Sequence, residues 1–168
     1  MQVTQQCRAE DIEQVRARYA ELGIPADLAT YITDMPDKLA WAHLVIGRAG
    51  ASTIAELTAA GRPAILVPLP SATDDHQTAN AREMAKAGGA RMIAQSRFTP
   101  VELAKQMQKL GLEPAALATA AGRARSVGHP DAASRLADLV ERSGRDFGAD
   151  PLPAHEVILK PLPAGAAA

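Results

Sequence analysis

The chemistry this chain can carry is concentrated in two short polar constellations. The first lies in GRAGASTIAE, residues 47–56, where Thr53 is followed three residues later by Glu56. That spacing is the one of a capping box at a helix start. A helix start near Ser52 or Thr53 also presents free N–H groups and the positive end of its dipole, which favour a phosphate. Gly47 and Gly50 bracket the turn, and glycine permits positive φ or the close approach of a ligand to the backbone. The bland alternative is a tight turn in which Glu56 only caps. The stretch has neither the full G-x-x-x-x-G-K-[ST] of a P-loop nor the full G-x-G-x-x-G of a dinucleotide site. The second constellation is His76, Gln77 and Asn80, which share one turn of an expected helix; the alternative there is a solvated first turn.

These groups need elements to position them. Residues 43–70 read as strand, glycine turn, helix and second strand. The run from 43 to 46 suits a strand buried on both faces, a helix starts near Ser52 or Thr53, Gly61 ends it, and Pro63 precedes a strand at 64–67. Parallel strands joined through one helix form a right-handed βαβ unit, and such sheets bind ligands beyond the carboxyl ends of their strands. Before this unit the pattern predicts a strand at 2–7, a helix at 10–22, a strand at 29–32 and a short helix capped by Asp34. After it come a proline-broken loop at 68–75, a helix at 76–87, a strand at 91–94, and helices at 101–110, 114–127 and 130–142. The last places Ala133, Leu136, Leu139 and Val140 on one side, expected to be packed. The fold class is α/β, with one domain at residues 1–145 and a Pro/Ala-rich tail at 146–168 that reads as disordered or loosely docked.

Composition narrows the function classes. At 168 residues, 47% hydrophobic and 22% charged, the chain is long enough for one domain with a core. A net charge of −1 and 3% aromatic residues argue against nucleic acid, because base stacking has few candidates. The single cysteine, Cys7, excludes an internal disulfide and a multi-cysteine metal site. The four histidines show no metal-ligand spacing, and no apolar run approaches the roughly 20 residues that span a bilayer.

QQCR at 5–8, YITDMP at 31–36, RAGASTIAEL at 48–57, GRPAILVPLP at 61–70 and DDHQTANA at 74–81 together resemble the MurG family. These bacterial enzymes move N-acetylglucosamine from its UDP donor onto undecaprenyl-diphospho-N-acetylmuramoyl-pentapeptide. The resemblance covers about residues 3–143 and lies with the second of the family's two Rossmann-like domains, the donor-binding half of the GT-B arrangement. It implies that the backbone of Ile32 meets the uracil, Glu56 takes the ribose hydroxyls, Ala51, Ser52 and Thr53 hold the diphosphate, and Gln77, with His76 and Asn80, faces the sugar. It implies no metal and no cofactor. It further implies a hexosyltransferase in the cytoplasm, peripheral on the cytoplasmic face of the inner membrane in the full-length enzyme.

The resemblance leaves out the family's N-terminal domain, with its acceptor site and proposed base, and the first strand, glycine-rich loop and helix of the second domain. In a sheet of order 3-2-1-4-5-6 that strand is central, so a gap is expected between the first two strands here and the last three. A truncated gene, self-association and no transfer by this chain alone are the corresponding expectations. A non-catalytic UDP-sugar-binding or partner subunit is the alternative reading. A UDP-N-acetylglucosamine 2-epimerase is a third, and would need further catalytic carboxylates.

Overall fold

The computed structural model describes residues 1–71 and 73–146. By its internal contacts the chain forms two units, Met1–His129 and a second from Pro130 onward. The first holds five strands: β1 (Val3–Gln6), β2 (Ala26–Ala29), β3 (Val45–Gly47), β4 (Ala64–Leu66) and β5 (Ala90–Met92). Six helices alternate with or follow them: α1 (Ile12–Glu21), α2 (Met35–Trp41), α3 (Ala51–Ala60), α4 (His76–Ala87), α5 (Pro100–Leu110) and α6 (Pro114–Arg125). The second unit is described as one helix, α7 (Ala132–Asp146).

All strand pairs are parallel, and they form two separate sheets, β1–β2 and β3–β4–β5. The division falls between the second and third strands, where the expected gap lies. β4 is the best packed element: Ala64, Ile65 and Leu66 are all buried. Their alternation sends Ala64 and Leu66 into a cluster with Leu39, Leu57, Ala81, Met84 and Ala124, contributed by α2, α3, α4 and α6. Ile65 points to the other face, where Val67 and Ile93 pack with Leu103 and Met107 of α5. Burying a side chain of this size contributes about 1.5–3 kcal/mol, so β4 and its helices hold most of the fold's stability.

Glycine sets two of the junctions. Gly61, at φ 62° and ψ 53°, closes α3 with its N–H bonded to the carbonyls of Leu57 and Thr58. At Gly89 a Cβ would lie 2.6 Å from the Ala124 Cα, so α6 passes against the backbone that enters β5.

The β1–β2 sheet is built differently. Its sequences, VTQQ and ADLA, offer few large apolar side chains, and no residue of either strand is buried. Tyr19 Oη donates to Gln5 Oε1 at 2.7 Å, fastening α1 to β1. Lys38 Nζ donates to Asp27 Oδ2 at 2.9 Å, fastening α2 to β2. α2 is tied in turn to the loop before β4 by Arg62, whose Nη2 donates to the Ala40 carbonyl at 2.9 Å.

Several expectations are corrected. The strand expected at 29–32 lies earlier, at Ala26–Ala29, because the Pro25 carbonyl receives the Val3 N–H and starts the ladder. Asp34 precedes α2 but makes no capping bond with its side chain. The strand expected to be buried on both faces is β3, an edge strand with Ile46 46% exposed. The face of α7 expected to be packed is exposed: Leu136, Leu139 and Val140 keep 62%, 53% and 63% of their surface, and Ala133 is exposed too. A single amphipathic helix cannot cover its own apolar stripe, and its unit offers no other described element. The tail expected at 146–168 lies outside the described residues except for Asp146, which ends α7. Among the described residues no helix is long and apolar enough to cross a membrane.

Candidate functional site

β3 runs out at Gly47, and α3 begins four residues later at Ala51, so the start of α3 faces the carboxyl edge of the sheet. The residue before the helix is Gly50, at φ −60° and ψ 153°, and it brings no side chain to cap it. Among the described residues, the N–H groups of Ala51, Ser52 and Thr53 therefore have neither an intrahelical nor a side-chain acceptor; the first helical bond is from Ile54 N–H to the Gly50 carbonyl at 3.0 Å. Three uncapped donors at the positive end of a ten-residue helix suit an anion. The backbone here is ordinary: neither Gly47 nor Gly50 has positive φ. What Gly47 supplies is space, since nothing lies within 4 Å of where its Cβ would stand.

This start also removes the capping box. With the helix beginning at Ala51, Thr53 is its third residue and Glu56 its sixth, a full turn too far in to reach the Gly50 N–H. Glu56 is exposed, and among the described residues it makes neither a hydrogen bond nor an ion pair with the protein. Its carboxylate is available to a ligand lying along the first turns of α3.

The turn at residues 76–80 serves the same loop from the other side. Ala49 is completely buried, and a buried peptide must have both its polar groups satisfied. Gln77 Oε1 accepts from the Ala49 N–H at 3.2 Å and from the Leu69 N–H at 3.0 Å. Asn80 Nδ2 donates to the Ala49 carbonyl at 3.1 Å. Gln77 and Asn80 are thus half-buried clasps, not a solvated first turn, and they hold α4 beside the start of α3. With its oxygen engaged by the backbone, Gln77 has its NH2 group to offer a ligand. His76 is exposed at the first position of α4. The two residues before it, Asp74 and Asp75, both have φ of 52°, a strained conformation for a residue with a Cβ.

Ile32 stands apart. It is half-buried in the loop between β2 and α2, and no described hydrogen bond joins it to the α3–α4 group. The turn at 76–80 is thus joined to the start of α3 through Gln77 and Asn80, and Ile32 lies on the loop that leaves the other sheet.

Sequence reasoning missed Arg48. Its Nη1 donates to the carbonyls of Val67 at 3.1 Å and Pro68 at 3.4 Å and to Gln95 Oε1 at 2.8 Å. One guanidinium thereby joins the segments that leave β3, β4 and β5. Its partners are 19, 20 and 47 residues away, so no local spacing could reveal them. Among the described residues no group of three or more His, Cys, Asp or Glu is placed to hold a metal ion.

Known proteins share this architecture. The crystal structure of Acinetobacter baumannii MurG superposes with a TM-score of 0.78 at 35% identity, over 84% of this chain and 41% of that one. A Zymomonas mobilis protein called UDP-N-acetylglucosamine–N-acetylmuramyl-(pentapeptide) pyrophosphoryl-undecaprenol N-acetylglucosamine transferase is 68% identical over 144 residues, which is 86% of this chain. A protein of the same name from Erythrobacter litoralis is 65% identical over 150 residues, 89% of this chain. This chain spans 37% of the length of each of those two relatives. The glycosyltransferase family 28 C-terminal domain matches residues 1–136, and the chain belongs to that family.

Proposed function

We propose that this chain is the donor-binding part of an inverting N-acetylglucosaminyltransferase that takes its sugar from UDP-N-acetylglucosamine. The observation that carries the reading is the uncapped start of α3 beside the unpartnered carboxylate of Glu56. The donors at Ala51, Ser52 and Thr53 receive the diphosphate, Glu56 accepts the two ribose hydroxyls, the Ile32 backbone meets the uracil, and Gln77, His76 and Asn80 face the sugar. The relatives' names point to the acceptor, an N-acetylmuramyl-(pentapeptide) pyrophosphoryl-undecaprenol, and its lipid chain suits a protein peripheral at the membrane surface.

In the transfer, the acceptor hydroxyl oxygen attacks the anomeric carbon, the bond from that carbon to the diphosphate oxygen breaks, and UDP leaves with the electron pair. The hydroxyl proton passes to a base. The α3 dipole and its N–H groups stabilise the charge that develops on the departing UDP. Acceptor site and base are assigned to the part of the relatives' length outside the match, so we expect no transfer by this chain alone. Holding acceptor and donor in line can be worth roughly 7–11 kcal/mol of barrier, and the isolated donor half does not supply it.

Titration calorimetry with UDP tests the assignment. Glu56→Ala should weaken binding by about 1.5–3 kcal/mol, the range for hydrogen bonds to a charged group. A folded Glu56→Ala protein that binds UDP like the parent refutes the ribose role.

A further inference from the structure

The opposite end of the same sheet holds a second recess, of about 390 Å³. α4 ends at Ala87 and β5 starts at Ala90, so this recess lies at the amino edge of the strands, whereas the start of α3 follows the carboxyl end of β3. Its walls come from three elements: Arg91 on β5, Lys109 at the end of α5, and Thr119 and Arg123 on α6. Three of the lining residues are cations and none is a carboxylate. Among the described residues, no ion pair involves Arg91, Lys109 or Arg123.

Part of this charge has a structural use. Arg91 Nη2 donates to the Lys109 carbonyl at 3.0 Å, at the end of α5. The Arg123 side chain lies over the end of α4, where Gly88, at φ 86°, leaves it room: a Cβ there would stand 3.0 Å from Arg123 Cδ and Nη1. Two helix carboxyl ends contribute about −0.5 charge each, and Glu102 on α5 is close enough to interact with the charge of Lys109, which leaves a net of roughly +1 to +2 at the recess. Like charges facing one cavity repel, and an anion between them relieves that cost. A volume at the low end of small-ligand pockets fits one or two phosphoryl groups. Guanidinium forks suit phosphoryl oxygens, and Thr119 adds no donor because its hydroxyl already donates to the Ala115 carbonyl at 2.8 Å.

We propose that this recess is a second anion site, separate from the start of α3, which binds a phosphoryl group through Arg91, Lys109 and Arg123. That group can belong to a free phosphate compound or to a lipid headgroup, and the test separates the two. Amide resonances of the full chain are followed during titration with pyrophosphate at constant ionic strength, and flotation is measured with phosphatidylglycerol and phosphatidylcholine vesicles. The Gly88 and Thr119 amides should shift along one saturating curve. The folded double variant Lys109→Gln/Arg123→Gln should bind on the order of tenfold more weakly, as expected for losing two exposed charge contacts, with the response of Ala51 and Thr53 unchanged. Thr119→Trp, which fills the recess and keeps every charge, should also abolish the shift at Gly88. Loss confined to pyrophosphate assigns a free phosphate; loss that extends to phosphatidylglycerol vesicles assigns the headgroup. The proposal is overturned if the Gly88 and Thr119 amides stay still in the parent and flotation is the same for parent and double variant. It is equally overturned if Thr119→Trp binds pyrophosphate like the parent.

Discussion

β4 and β2 are both short parallel strands, yet their surroundings differ in every respect that governs stability. β4 has a strand on each edge and helices on both faces, so Ile65 and Leu66 are fully buried. β2 pairs with β1 only, and its one large apolar residue, Leu28, is half-buried. The candidate site straddles this difference. The uncapped start of α3, Glu56 and the Gln77–Asn80 clasp stand on the packed half, and Ile32 alone stands on the loop that leaves β2. Under the proposed function, ligand energy gained at Ile32 would be drawn on to order a lightly held half, whereas contacts at α3 would meet a frame already fixed.

Denaturant unfolding gives the largest test of that contrast. Leu66→Ala should cost about 2–5 kcal/mol, the range for emptying a packed site, and Leu28→Ala about 1 kcal/mol or less, because half-buried surface leaves little cavity. Equal losses would show that the β1–β2 half is as firmly packed as β4, and the contrast would fall.

A middle-sized effect separates the two duties of Gln77. Gln77→Ala removes both the acceptor for the Ala49 and Leu69 N–H groups and the NH2 that faces the ligand, so affinities for UDP and UDP-N-acetylglucosamine should both drop, by about 1 kcal/mol or more for an unsatisfied buried donor. Gln77→Glu keeps an oxygen for the backbone, loses the NH2 and adds a negative charge near the start of α3. It should weaken both ligands, and UDP-N-acetylglucosamine by more than UDP. If Gln77→Glu binds the two ligands with equal losses, the sugar contact is wrong and the residue is a clasp alone.

The smallest effect lies in the tie between α2 and β2. The hydrogen bond to Asp27 raises the Lys38 pKa above the usual lysine range, aided by the charges of Asp27 and Asp34. A raised folded-state value stabilises the protein fully below the unfolded pKa, and the contribution is lost as pH rises through the folded one. Thermal melts should therefore show a slight alkaline loss in the parent that Lys38→Met lacks. Because both partners are solvent-accessible, the difference should shrink in salt. Identical alkaline profiles would remove this pair from the forces joining the halves.

The order of elements and the end of α3 at Gly61 were legible before any coordinates, because glycine at φ 62°, proline and apolar alternation act within a few residues, whereas the break between the second and third strands was implied by the family resemblance. The motifs also marked the candidate site, since the start of α3 and the turn at 76–80 are each contiguous in sequence. What Glu56, Gln77 and Arg48 do was decided by tertiary structure. Thr53 and Glu56 have capping-box spacing, but α3 starts at Ala51, and the packing of its apolar face on β4 and α4, not the spacing, fixes where the first turn lies. The sequence left Gln77 either facing a sugar or in a solvated first turn, and the burial of Ala49, 28 residues away, shows that its oxygen serves the backbone. The exposed stripe of α7 and the open edge of β3 follow the same rule. Periodicity states which face is apolar, and only the neighbours present in three dimensions decide whether that face is covered.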